Sequence, residues 1–137
     1  MKQGKNRRHK KGSALLELAL VIPIFMLISA GIFEFGSMLM IKHVITNAAR
    51  EGARVGALDL DEAAAEVTAT TTTQNYITAG GADLSLTTVA ASHISPSGID
   101  SIQVTVDYSY DTVLTYFIAG SPGNFTLSSV VVMRKEA

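Results

Sequence analysis

Apolar and polar positions divide this chain unevenly. From Leu18 to Phe33 no residue is charged, and Ser29 is the only polar side chain. Sixteen helical residues rise about 24 Å, short of the ~30 Å hydrocarbon core of a bilayer. A spanning helix must therefore reach outward past Glu17 to Ser13 and past Glu34 to Ile41, which brings both carboxylates to the interfaces. Beyond the apolar run, "MIKHVITNAAREGARVGA" sets Ile41, Val44, Ile45, Ala48, Gly52, Val55 and Gly56 at spacings of three and four. That spacing is one narrow face of an amphipathic helix. Together the two patterns predict one helix from about Ala14 to Ala57, about 65 Å long. Its first half faces lipid or a helix bundle, and its second half is the spine of a small domain.

Two glycines inside a helix each cost about 1 kcal/mol relative to Ala, which makes sense only if another backbone packs very close. Ala49, Gly52, Ala53, Gly56 and Ala57 form a small-residue ridge that permits such an approach. Arg50, Glu51 and Arg54 occupy the other side. Glu51 is placed to pair with Arg54 at i+3, either as part of a solvated face or with neighbouring subunits.

"DLDEAAAEVTATTTTQNYITAG" reads as a second helix. Asp59 or Asp61 is its N-cap, Glu62 and Glu66 lie in its first turns, and Gly80–Gly81 stop it. The β-branched run Thr70–Thr73 is poor helix material, so packing of Val67, Tyr76 and Ile77 is expected to hold it. Three strands follow. "LSLTTVAA" alternates from Leu84 to Val89; Ile102, Val104, Val106 and Tyr108 share one face of the second; the third runs from Phe125 to about Arg134. "SHISPSGID" and "GSPGN" read as turns. "TVLTYFIAG" leaves room for a short helix or loop packing Leu114, Phe117 and Ile118. The fold class is α+β, a long helix and a second helix on one face of a three-stranded antiparallel sheet, and this resembles the pilin fold. The domain organisation is a basic leader at 1–12, a transmembrane helix at 13–40, and an extracytoplasmic domain at 41–137 that includes the rest of the long helix.

Charge sharpens this picture. The 137 residues carry a formal net charge of −1, yet Lys2, Lys5, Arg7, Arg8, Lys10 and Lys11 crowd the first twelve positions with no acid among them. The remainder holds five basic against twelve acidic residues, a balance of −7. A basic tail against an apolar run suits the cytoplasmic face of a membrane, and the positive-inside rule puts the chain after about residue 40 outside. Nucleic acid is not an expected partner, because no aromatic is interleaved with the charges.

There is no Cys, hence no disulfide framework, thiolate metal site or thiol nucleophile. The chain has no nucleophile elbow and no phosphate loop. His43 and His93 stand apart from each other and from acids at ligand spacing. Asp107 and Asp111 flank "YSY" and read as solvent-facing rather than as an acid pair or calcium site. Tyr108, Tyr110, Tyr116 and Phe117 suit a core or sheet edge better than a contact surface. The expectation is a protein that is not an enzyme and needs no metal or cofactor.

Three readings of the apolar segment compete. A secretory signal would be cut best after Ala30, but Ile28 is a poor residue at the −3 position and no polar region precedes the cut. A plain single-pass anchor, which would make the chain an unprocessed extracytoplasmic binding module, gives Glu17 no purpose. The third reading starts from the residues "KKG|SALLELALVIP", which resemble a type IV prepilin processing site. That resemblance implies a prepilin peptidase cutting after Gly12, Ser13 as the mature N-terminus, and Glu17 as the fifth mature residue. Its physical logic is sound. The cut creates an α-ammonium at Ser13, one helical turn from Glu17, and a paired charge at a membrane costs far less than a lone one. Gly12 has no side chain to obstruct an extended backbone in a protease cleft.

Glu17, Pro23, "GIFEFG" at 31–36, "TNAAREGAR" at 46–54 and a late strand ending in "VVVMRKEA" resemble, in that order, the TadE-like family. The resemblance is strong over about residues 12–57. It implies the pilin-like or pseudopilin proteins of tight-adherence (Flp-type) pilus systems: export, cleavage by the peptidase, and work alongside other pilins and assembly-platform proteins. Location in the cytoplasmic membrane, and on assembly in a surface pilus, goes with it. Pro23 lacks an N–H, so the carbonyl of Ala19 loses its helical partner and a mild kink or loosened turn is expected there.

Overall fold

The computed structural model describes residues 6–59, 61–121 and 123–135, with side chains from residue 12 onward except those of 117–119. The leader's side chains, the expected packing of Phe117 and Ile118, and the last two residues of the tail lie outside the described residues. The long helix α1 runs Asn6–Gly56. It begins earlier than expected because Lys and Arg are good helix formers and a single glycine at position 12 does not end a helix alone. It continues through Pro23 as one helix.

Helix α2, Glu62–Ala79, opens on Asp61, whose carboxylate accepts the Ala63 N–H at 3.0 Å. It closes where Gly81 takes φ of 76° and lets the Ala82 N–H reach the Ile77 carbonyl at 3.1 Å. Its packing face corrects the expectation. Val67 is 66% exposed and Tyr76 40%, whereas Ala65, Ala69, Thr73 and Ile77 are buried. The inward stripe follows every fourth residue, and Thr73 enters it because its hydroxyl donates to the Ala69 carbonyl at 2.7 Å. A buried hydroxyl satisfied within its own helix costs little.

Strands β1 (Thr87–Ile94), β2 (Ser101–Thr112) and β3 (Gly123–Arg134) form an antiparallel sheet in that order. The first strand is displaced from its expected position. Leu84–Leu86 is a 3₁₀ turn, held by the Asp83 carboxylate accepting the Ser85 N–H at 2.8 Å, and pairing runs on to Ile94 through residues expected to turn. A side chain that captures a nearby N–H competes with the strand ladder.

The register aligns Val89, Val106 and Ser129 across the three strands, and Ala91, Val104 and Val131 beside them. This face, with Ile102 and Tyr108, packs on Ile45, Ala48, Ala49 and Ala53 of α1, on Ala57 just beyond it, and on Ala65, Ala69 and Ile77 of α2. The short helix α3, Val113–Ala119, connects β2 to β3. The fold is thus α+β, with two helices on one face of a three-stranded antiparallel sheet.

Candidate functional site

The two halves of α1 have opposite surroundings. From Leu15 to Met40 its large apolar side chains are mostly exposed, including Leu16 at 76% and Phe33 at 82%. From Ile45 to Gly56 it is the spine of the core. Helix α1 is long and apolar enough to cross a membrane, and its exposed half is a candidate anchor. The described portion of the core lies entirely C-terminal to that half.

At the start of the anchor, Gly12 lies inside the helix, and among the described residues a Cβ built on it would meet nothing within 4 Å. An extended backbone at the Gly12–Ser13 bond therefore requires the first turns to unwind, which the conformational freedom of glycine favours. Ser13 and Glu17 stand one turn apart, both exposed. Among the described residues Glu17 has no ion-pair partner.

The second acid of the anchor is better provided. One oxygen of the Glu34 carboxylate accepts the Val113 N–H at 2.5 Å and the other accepts the Leu114 N–H at 3.0 Å. Thr112 accepts the Thr115 N–H at 3.3 Å, so the first turn of α3 is capped jointly by its own chain and by α1. A carboxylate at a helix N-terminus gains from both charge-assisted hydrogen bonds and the helix dipole. Sequence reasoning missed this role. The argument applied to Glu17, that an acid in an apolar run needs a partner, applies equally to Glu34. Glu34→Ala should strand two N–H groups and cost about 1–3 kcal/mol. Hydrogen exchange at Val113 and Leu114 should accelerate by about ten-fold or more; unchanged protection would show that the cap contributes nothing.

Ala49, Gly52, Ala53 and Gly56 are all buried. A Cβ built on Gly52 would lie 2.0 Å from Thr73 Oγ1 and 2.8 Å from the Ala69 carbonyl oxygen. One built on Gly56 would meet Ile102 Cδ1 at 2.7 Å and Ala69 Cβ at 2.9 Å. Here α1 and α2 approach backbone to backbone. On the opposite side, Arg54 Nη2 reaches Glu51 Oε1 at 2.6 Å within the same chain. Hydrogen bonding from Arg54 holds the Glu51 carboxyl below the usual carboxylate range.

His93 does not stand apart from acids as expected. Its backbone N–H donates to Glu66 Oε1 at 2.8 Å, and its ring nitrogens lie 3.6 Å from Glu62 and 3.8 Å from Asp100. Among the described residues no three His, Cys, Asp or Glu side chains gather closely enough to hold a metal ion. Asp107 is half-buried and Asp111 exposed. Of the aromatic residues, Tyr108 is buried and Tyr116 is 61% exposed. An apolar cleft beside the anchor, about 290 Å³, lies between α1 and α3 and is lined by Ala30, Phe33, Glu34, Tyr110, Val113 and Leu114 among others.

A long helix that is bare and apolar at one end, and the spine of a three-stranded α+β domain at the other, defines a pilin-like class of protein. Within that class, residues 12–54 match the family model described as TadE-like protein, which covers the exposed half of α1 and most of its packed half. The chain thus carries a TadE-like segment over residues 12–54 of its 137. No curated protein and no solved structure matches the chain.

Proposed function

We propose that this protein is a minor pilin or pseudopilin of a tight-adherence pilus or secretion machine, and that it acts by assembly rather than catalysis. The observation that carries the reading is the division of α1 within one TadE-like segment. The half with exposed apolar side chains is available to lipid and to neighbouring helices, and the other half holds the domain. The chain is inserted once in the cytoplasmic membrane, with residues 1–12 inside and the domain outside. A prepilin peptidase cuts between Gly12 and Ser13, and the new α-ammonium pairs with Glu17. Its partners are that peptidase, other pilins or pseudopilins, the assembly platform and the bilayer.

The test is a Gly12→Leu variant in the native host, carrying a C-terminal tag. A branched side chain before the scissile bond obstructs the cleft, so an uncut precursor should accumulate in the membrane and fail to co-isolate with pilus components. Normal maturation of this variant would remove Gly12 from the processing site. A wild-type chain that stays uncut and alone in the membrane would favour an unprocessed anchored binding module.

A further inference from the structure

We propose that α3 is a membrane-interface foot, through which the domain rests on the outer headgroup boundary of the same bilayer that α1 crosses; this rests on the anchored reading given above. The ligand is lipid, at the junction of headgroups and acyl chains.

The depth of α3 follows from α1. The charge-free run Leu18–Phe33 spans about 24 Å, less than the ~30 Å hydrocarbon core, so lipid extends past its ends. A Cβ on Gly31 would already touch Leu114 Cδ2 at 4.0 Å. The first turn of α3 therefore lies beside the last turn of the apolar run, not above it. Glu34 is fixed at the same level by its two hydrogen bonds to α3. Those bonds also supply what a carboxylate at that depth needs, since an unpaired charge at a lipid boundary is costly.

The segment is held in place from its other end too. Gly123 donates its N–H to Thr115 Oγ1 at 2.6 Å, and a Cβ there would meet the Thr115 side chain at 2.8 Å. What α3 presents outward is suited to lipid. No charged residue occurs from Thr112 to Gly123. Val113 is 67% exposed and Tyr116 61%, at the end of the sheet where Phe125 pairs with Tyr110 and is 51% exposed. In water such a cluster is an unfavourable surface. At a bilayer interface, aromatic residues flanked by apolar ones are the preferred occupants.

The chain contains no Trp, so single Trp reporters are unambiguous. Full-length Phe25→Trp, Tyr116→Trp, Val113→Trp and Val130→Trp variants would be reconstituted separately into phosphatidylcholine–phosphatidylglycerol vesicles. The acyl chains would carry bromine near the headgroup end or near the middle. Phe25 lies within the anchor, and Val130 is exposed on β3 away from α3. The reporters at 116 and 113 should lose about half their emission or more to headgroup-end bromine, the reporter at 25 should respond to mid-chain bromine, and the reporter at 130 to neither. Quenching at 25 with none at 116 and 113 overturns the foot while leaving the anchor intact. Absence of quenching at 25 overturns the anchor, and the foot with it.

Discussion

Gly52→Ala is expected to be the most damaging single-methyl change in the domain. The added carbon would stand 2.0 Å from Thr73 Oγ1 and 2.8 Å from a backbone carbonyl, so α1 and α2 must separate. Overpacking of this kind costs about 1–3 kcal/mol, and backbone as the obstacle argues for the upper end. A domain of this size has a total stability of only about 5–10 kcal/mol. The melting temperature of the detergent-solubilised chain should fall by roughly 10–20 °C. Thr73→Ala on its own should cost about 1 kcal/mol, since its hydroxyl bonds its own helix. Combined with Gly52→Ala it should recover part of the loss, because Oγ1 is removed while the Ala69 carbonyl remains. Gly36→Ala is the control. Among the described residues a Cβ there would meet nothing within 4 Å, so the change should be neutral or slightly stabilising. Equal melting temperatures for Gly52→Ala and Gly36→Ala would contradict close helix packing.

Glu17→Gln should abolish assembly while leaving the molecule whole. The precursor has no free amine at residue 13, so the proposed pairing cannot exist before the cut. Afterwards, a partly desolvated pair at a membrane is worth a few kcal/mol, because removing one partner strands the other. Gln retains size and polarity without the charge. The variant should be cut normally, reside in the membrane, and fail to co-isolate with other pilus components. Normal co-isolation and piliation would refute the pairing. Loss of cleavage would mean instead that the peptidase reads the carboxylate.

Much of the fold was legible because its signals are local and periodic. The alternation of Ile102, Val104, Val106 and Tyr108 marked the inner face of β2, and all four are buried. Gly52 and Gly56 on one helical face announced a close neighbour without saying which. The errors have a physical pattern. Val67 and Tyr76 were chosen as anchors of α2 because they are large, yet a helix that approaches another at glycine must present Ala65, Ala69 and Thr73 instead. The start of β1 was misplaced because Asp83 diverts the chain into a turn through one hydrogen bond. The acids around His93 come from α2, and from the β1–β2 connection, and their proximity exists only once the sheet is docked. Glu34 was different. Its cost in an apolar run was readable, and its partner, a helix start about eighty residues away, was not.

Processing at the cytoplasmic face is the claim on which the functional account depends. The most direct measurement is the mass of the N-terminal peptide of the protein isolated from membranes of its native host. A mature chain beginning at Ser13, with Glu17 in the fifth position, is the predicted result. An intact leader, or a chain beginning at Gly31, would contradict it.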